Sequence, residues 1–415
     1  MKFLNSRFTK NVLLLVGGTT FAQLFNTIVT PIITRLYHPE EYGVLTFYIT
    51  LISLLTIISS LKYEYGIAIS SNDNKAINIL VLSICVLLFF VCCISPVFFV
   101  LSKIYEILKF WYLIPIGILF AGLYNIFLQW ALRKRDFKSI SKTKIIQSVF
   151  SNITKIGLGF LKIGPIGLIL GNIIGVSAGI RALSLTLFNQ KKLFYKSISK
   201  KRLYWGLQRY IKFPIYFTPS QLLNHLGVQL PIFFLTFLFG SKLVGYYSLA
   251  HTIVNLPTLL LGNSIGDVFY SEAVNIGKSN PKKLKHLSIK LFKKLLFTGI
   301  IPFIIVVLFG PGLFSLVFGS NWYEAGIFAQ ILAFLVYARL IFMPTSRVFE
   351  VFEKQKQVFW LDLTRVVLVL IVFLVSIYFV FDVYLTLILY CIAMILIYFV
   401  TFVYAQVLIN EYINK

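Results

Sequence analysis

Residues 113–144 read LIPIGILFAGLYNIFLQWALRKRDFKSISKTK: twenty mostly apolar residues, then Arg133, Lys134, Arg135, Lys138, Lys142 and Lys144 within twelve positions. About 20 apolar residues form a helix long enough to cross a hydrocarbon core of about 30 Å. Lys and Arg gathered beyond one end mark that end as cytoplasmic. This short stretch therefore predicts both a membrane span and its direction.

The same pattern extends along the chain in both directions. Twelve apolar segments are expected, at about 11–34, 43–61, 77–101, 111–132, 145–161, 165–188, 213–240, 243–270, 295–317, 323–346, 357–380 and 383–409. With the N-terminus inside, thirty of the 39 Lys and Arg residues fall in the tails and even-numbered gaps. Only Arg35, Lys103, Lys109, Lys162 and Lys242 fall in the outer gaps. Every gap then obeys the positive-inside rule, and both termini are expected in the cytoplasm.

Composition agrees with that reading. Mean hydropathy is +0.86, 58% of residues are hydrophobic and 41 of 415 are Phe, which a water-soluble domain could not bury. The net charge of +25 is accounted for by topology and an anionic inner leaflet, without nucleic acid. Apolar sequence continues past any cleavage point to Ile33, so the first segment reads as an uncleaved span rather than a secretory signal. Cys85, Cys92, Cys93 and Cys391 all lie within expected spans and read as small apolar residues.

The basic segment 190–212 separates two sets of six spans, a first lobe at 1–189 and a second at 213–415. Gln23-Leu24-Phe25-Asn26 in span one matches Gln221-Leu222-Leu223-Asn224 in span seven. Thr20 and Thr218 each lie three residues upstream, and Pro31 and Pro231 follow at nearly equal distance. Each set has an even number of spans, so the expected repeat is parallel rather than inverted. The fold class expected is an all-α integral membrane protein with about 12 helices in two lobes around a central cavity.

Spans one and seven also carry polar stripes. Thr20, Gln23, Thr27, Thr30 and Thr34 recur every three or four residues, as do Thr218, Gln221, Asn224, His225 and Gln229, placing each set on one side of a helix. Amides facing lipid are costly, so these faces meet either a watery cleft or a neighbouring helix. Four cations lie inside spans, Lys155, Arg181, Arg339 and Arg365. Such residues often mark a pathway for an anion. The three arginines are close enough to a cytoplasmic end to snorkel, and Arg365 follows Asp362 by three residues, a spacing for a local ion pair. Lys155 is the deepest of the four.

No phosphate-binding glycine loop, metal-ligand cluster or Ser/His/Asp arrangement is present, and the outer gaps are only a few residues long. Neither an enzyme nor a cofactor is expected.

Short motifs occur in order along the chain: Pro39-x-x-Tyr42-Gly43, Tyr63-Glu64, Tyr210-x-x-Phe213-Pro214, Phe239-Gly240, Leu256-Pro257 and Phe318-Gly319-x-x-Trp322 with Ala325-Gly326. In these the chain resembles the Wzx-type polysaccharide flippases of the multidrug/oligosaccharidyl-lipid/polysaccharide (MOP) exporter superfamily. The resemblance implies export by alternating access of an undecaprenyl-pyrophosphate-linked oligosaccharide, in a bacterial cytoplasmic membrane. It also implies membrane lipids, a polysaccharide polymerase and chain-length machinery as partners. A multidrug or metabolite cation antiporter of the same superfamily is the alternative. The cavity residues expected are Lys155, Arg181, Arg339, Arg365, Gln23, Asn26, Gln221, Asn224 and His225. Arg35 and Glu64 match the turn motifs and read as loop anchors.

Overall fold

A computed structural model describes residues 7–188, 194, 197–259, 263–276 and 280–413. The described residues form helices and no strand. In chain order they are α1 (Arg7–Leu36), α2 (Pro39–Ser59), α3 (Tyr65–Ile69), α4 (Asp73–Leu101), α5 (Leu113–Arg133), α6 (Phe137–Phe160), α7 (Pro165–Phe188) and α8 (Lys200–Arg209). There follow α9 (Thr218–Phe239), α10 (Ser241–Val254), α11 (Asn263–Ile276), α12 (Pro281–Phe318), α13 (Tyr323–Phe342), α14 (Val348–Val351), α15 (Gln355–Tyr378) and α16 (Val383–Ile413).

Nine helical segments among the described residues are long and apolar enough to cross a membrane. They coincide with nine of the twelve expected spans. The other three also fall on helices, with differences. Expected spans one and five lie on α1 and α6, both longer than predicted because polar and basic turns precede their apolar parts. Expected span eight is not one helix. α10 ends in a turn at Asn255, two residues before Pro257, whose ring in place of an N–H removes a hydrogen bond and crowds the preceding turn, and α11 starts at Asn263.

The chain forms two compact units, Met1–Gln229 and Leu230–Lys415. In the first, α6 and α7 pack closely because glycines recur every fourth residue on α7, at 167, 171, 175 and 179. A Cβ on Gly175 would stand 2.9 Å from the carbonyl oxygen of Gln147, and one on Gly179 would stand 2.6 Å from Thr143 Cγ2. Association within lipid depends on van der Waals fit, so small residues that let backbones approach are its usual means. α1 joins the pair through Asn26, whose Oδ1 accepts from Ser148 Oγ at 2.5 Å and Asn152 Nδ2 at 2.6 Å.

The quoted motifs acquire physical roles. Pro39 opens α2 at a position where its missing N–H costs nothing, and the His38 amide donates to Glu41 Oε2 at 2.7 Å, closing the first turn. At the end of α2 the chain turns through Leu61 and Lys62, with φ of 49° and 58°. The turn is held by Glu64, which is 1% exposed and accepts from Ser60 Oγ at 2.5 Å. Beyond it, Arg133 Nε and Lys134 Nζ meet Asp73 at 3.0 and 2.5 Å. This fastens the end of α5 to the start of α4.

In the second unit Gly240 (φ 84°) and Gly319 (φ 107°) break the chain at α9–α10 and α12–α13, in a region that side chains disfavour. Gly326 lets α13 lie against α12, since a Cβ there would stand 2.4 Å from Pro311 Cα. Phe269, Leu284, Phe349, Phe352 and Leu408 are buried together and tie α11, α12, α14 and α16 into one core.

Candidate functional site

The first unit has an open-sided cavity of about 470 Å³, bordered by α2, α5, α6, α7 and the first half of α9. Its apolar lining comes from Ile49, Ile52, Phe120, Ile173 and Val176, and its polar lining from Ser53, Thr56, Tyr124, Asn125, Lys144, Gln147, Asn172, Gln221 and His225. Lys144 is the one Lys or Arg among the lining residues, and no carboxylate is among them.

Neighbouring helices hold several of these groups in place. The Lys144 ammonium lies over the Tyr124 ring, 5.1 Å from its centroid, an attractive geometry for a cation on an aromatic face. The Tyr124 hydroxyl is buried and has no hydrogen-bond partner within the protein. His225 Nε2 lies 3.0 Å from Ser53 Oγ, joining α9 to α2. Gln147 lies in the space left by Gly179, whose added Cβ would stand 2.8 Å from its Cγ. One cation, amides, hydroxyls and an imidazole can together bind an anionic group and sugar hydroxyls.

Of the nine residues expected from sequence, Gln221 and His225 line this cavity. The structure does not bring the other seven to it. Asn26 bonds across the α1–α6 contact. The Gln23 carbonyl accepts from Thr27 Oγ1 at 3.0 Å, while Thr30 Oγ1 bonds to the Asn26 carbonyl at 2.8 Å. Much of the span-one stripe thus bonds within its own helix. Lys155 lies on α6 against Gly171, and its carbonyl accepts from Tyr37 Oη at 2.8 Å. Asn224 and Arg181 are exposed in the first unit, and Arg339 is exposed in the second. Arg365 pairs with Asp362 at 3.1 Å beside a separate 210 Å³ cavity of the second unit.

Sequence reasoning missed Tyr124, Asn125, Lys144, Gln147 and Asn172. A signal existed. Asn125 and Asn172 stand alone in apolar runs, where an amide is expensive unless it faces the interior. Lys144 reads as a base of a gap because the apolar run starts at about 145, whereas α6 begins eight residues earlier, at Phe137.

A family model described as polysaccharide biosynthesis protein matches residues 32–327. The chain belongs to the polysaccharide biosynthesis protein family. No curated protein matches it significantly. Among solved structures, this family member is similar to an inward-facing multidrug resistance MATE family transporter of the MOP superfamily, with TM-score 0.68, 16% identity and coverage of 95% of this chain and 96% of that one. An outward-facing MATE transporter gives TM-score 0.59 at 15% identity, covering 97% and 99%. A MOP superfamily transporter from Pyrococcus furiosus, whose binding pocket is described as having reverse polarity, gives 0.60 at 15% identity, covering 97% and 95%. The fold is that of these multi-pass membrane transporters.

Proposed function

We propose that this protein is a flippase carrying an undecaprenyl-pyrophosphate-linked oligosaccharide, such as an O-antigen or capsule repeat unit, from the cytoplasmic to the outer leaflet. The protein would act in a bacterial cytoplasmic membrane with both termini inside. The observation that carries this reading is the cavity of the first unit, with Lys144 among its polar lining and no carboxylate, in a member of a polysaccharide biosynthesis family. A lysine without a facing carboxylate favours an anion, and amides and hydroxyls suit sugar. The lipid chain would stay in the bilayer, where its transfer requires no protein cavity.

The test is deletion of the gene in its host, with surface glycan and the leaflet of the lipid-linked intermediate both measured. Loss of surface glycan with intermediate held on the inner leaflet supports the reading. The likeness to multidrug MATE transporters supports a second reading, a drug or metabolite cation antiporter. That reading predicts unchanged glycan and altered sensitivity to small cations, and the absence of carboxylates from the cavity lining argues against it.

A further inference from the structure

Helix α8 has no part in the cavity, yet the protein fixes it firmly in place. Its docking surface is the beginning of α4. Ser197 Oγ bonds to Asn74 Oδ1 at 2.7 Å, Asn78 Nδ2 donates to the Ser197 carbonyl at 2.7 Å, and the Ser199 amide donates to Asn78 Oδ1 at 3.0 Å. Gly206 is buried against Ile79 and Leu82, which an added Cβ would approach to 3.6 and 3.5 Å. Trp205 lies under the Lys75 ammonium at 4.8 Å, and Tyr63 Oη reaches the Leu207 carbonyl at 3.5 Å.

These contacts set the depth of α8. α4 starts at Asp73, and Leu82 is nine residues on, about 13 Å at 1.5 Å per residue. α8 therefore packs along the first turns of a spanning helix, at the level where hydrocarbon gives way to headgroups. The opposite side of α8 is uncovered. Lys200 and Lys201 are exposed there, as is Tyr204 at 63%, all three within about 100° of one another around the helix. Segment 190–212 contains no Asp or Glu. A fixed helix with bases and an aromatic ring on its free face, held at the edge of the hydrocarbon, matches an anionic bilayer surface in charge and chemistry.

We propose that the free face of α8 is a binding site for anionic phospholipid headgroups. The site rests on the membrane fold alone and stands whatever cargo the cavity carries.

The test places the full-length protein in nanodiscs of equimolar phosphatidylglycerol and phosphatidylcholine and measures, by mass spectrometry, the lipids that remain bound after mild extraction. Phosphatidylglycerol enrichment is expected in the wild type and should fall about fivefold or more when Lys200 and Lys201 are both replaced by Gln. It should hold in a control with the same charge change at the exposed Lys282 and Lys283 of α12. The double variant Lys200→Arg, Lys201→Arg should retain enrichment, which separates charge loss from misfolding. Equal loss in both Gln variants, or loss in neither, would overturn the proposal. So would a Gln variant that keeps lipid enrichment but loses heparin binding in lipid-free detergent, which would make the occupant a soluble polyanion.

Discussion

His225 of α9 and Ser53 of α2 meet at 3.0 Å across the cavity wall, joining residues 172 positions apart in the sequence. Replacing His225 with Phe removes the bond and one polar wall group. Hydrogen bonds between membrane helices are worth about 0.6 kcal/mol on average, so folding should change little. Transport should fall about tenfold, equivalent to about 1.4 kcal/mol of lost cargo interaction. Normal surface glycan in a host carrying only His225→Phe would remove His225 from the site.

Lys144 and Lys155 stand eleven residues apart on α6 and are expected to behave differently. Lys144 lines the cavity, whereas Lys155 lies against Gly171. Lys144→Gln should lower export of an anionic cargo about tenfold or more, with normal insertion. Lys155→Gln should leave export near wild type. Complementation of a deletion strain by each variant, with membrane abundance measured alongside, decides between them; the reverse ranking would place the cargo's anion at Lys155.

The α6–α7 contact depends on the α7 glycines. Gly175→Leu drives a side chain toward the Gln147 carbonyl oxygen, already 2.9 Å from a bare Cβ, so backbones must separate. A loss of about 3 kcal/mol or more is expected, seen as a lower thermal midpoint in detergent. Gly157 has nothing within 4 Å of an added Cβ. Gly157→Ala should be neutral or slightly stabilising through helix propensity.

Asn26→Ala deletes the acceptor for both Ser148 and Asn152. The expected loss is about 1 kcal/mol, limited because Asn152 Nδ2 also reaches the Ser148 carbonyl at 2.9 Å and Ser148 Oγ the Ala22 carbonyl at 3.2 Å. Gln23→Ala should cost less, since Thr27 bonds to the Gln23 backbone carbonyl, which Ala keeps. Equal midpoints for the two variants would contradict this assignment.

Burial raises the Glu64 carboxyl above its ordinary value of 4.5, against the opposing effects of Ser60 and Lys62. The native protein then holds a proton that the unfolded chain has already released. Stability contributed by this group is present below the ordinary value and is lost as pH rises through the raised one. The thermal midpoint should therefore fall from pH 4.5 upward, and Glu64→Gln should flatten that part of the profile. An unchanged slope in Glu64→Gln would assign the pH dependence elsewhere.

Much of the fold was legible because lipid imposes a one-dimensional rule. Each span must be about 20 apolar residues, and the bases sort by side, so nine expected spans coincide with helical segments long and apolar enough to cross. The rule failed where a helix also meets protein or water. α6 carries Lys142 and Lys144 inside its helical length, and a turn at Asn255, ahead of Pro257, interrupts the eighth expected span. Of the site, His225 and Gln221 were legible from a polar stripe on one helix.

The sequence by itself determined the membrane class, the order of the spans and the charge asymmetry of their ends, because hydrophobic length and Lys/Arg placement are local properties. Which polar residues face a cavity was decided only by tertiary packing. Asn26 and Lys144 are both polar residues near apolar runs, but close contact of α1 with α6 directs the first into a helix joint, while the packing of α2, α5, α6, α7 and α9 leaves the second beside open space.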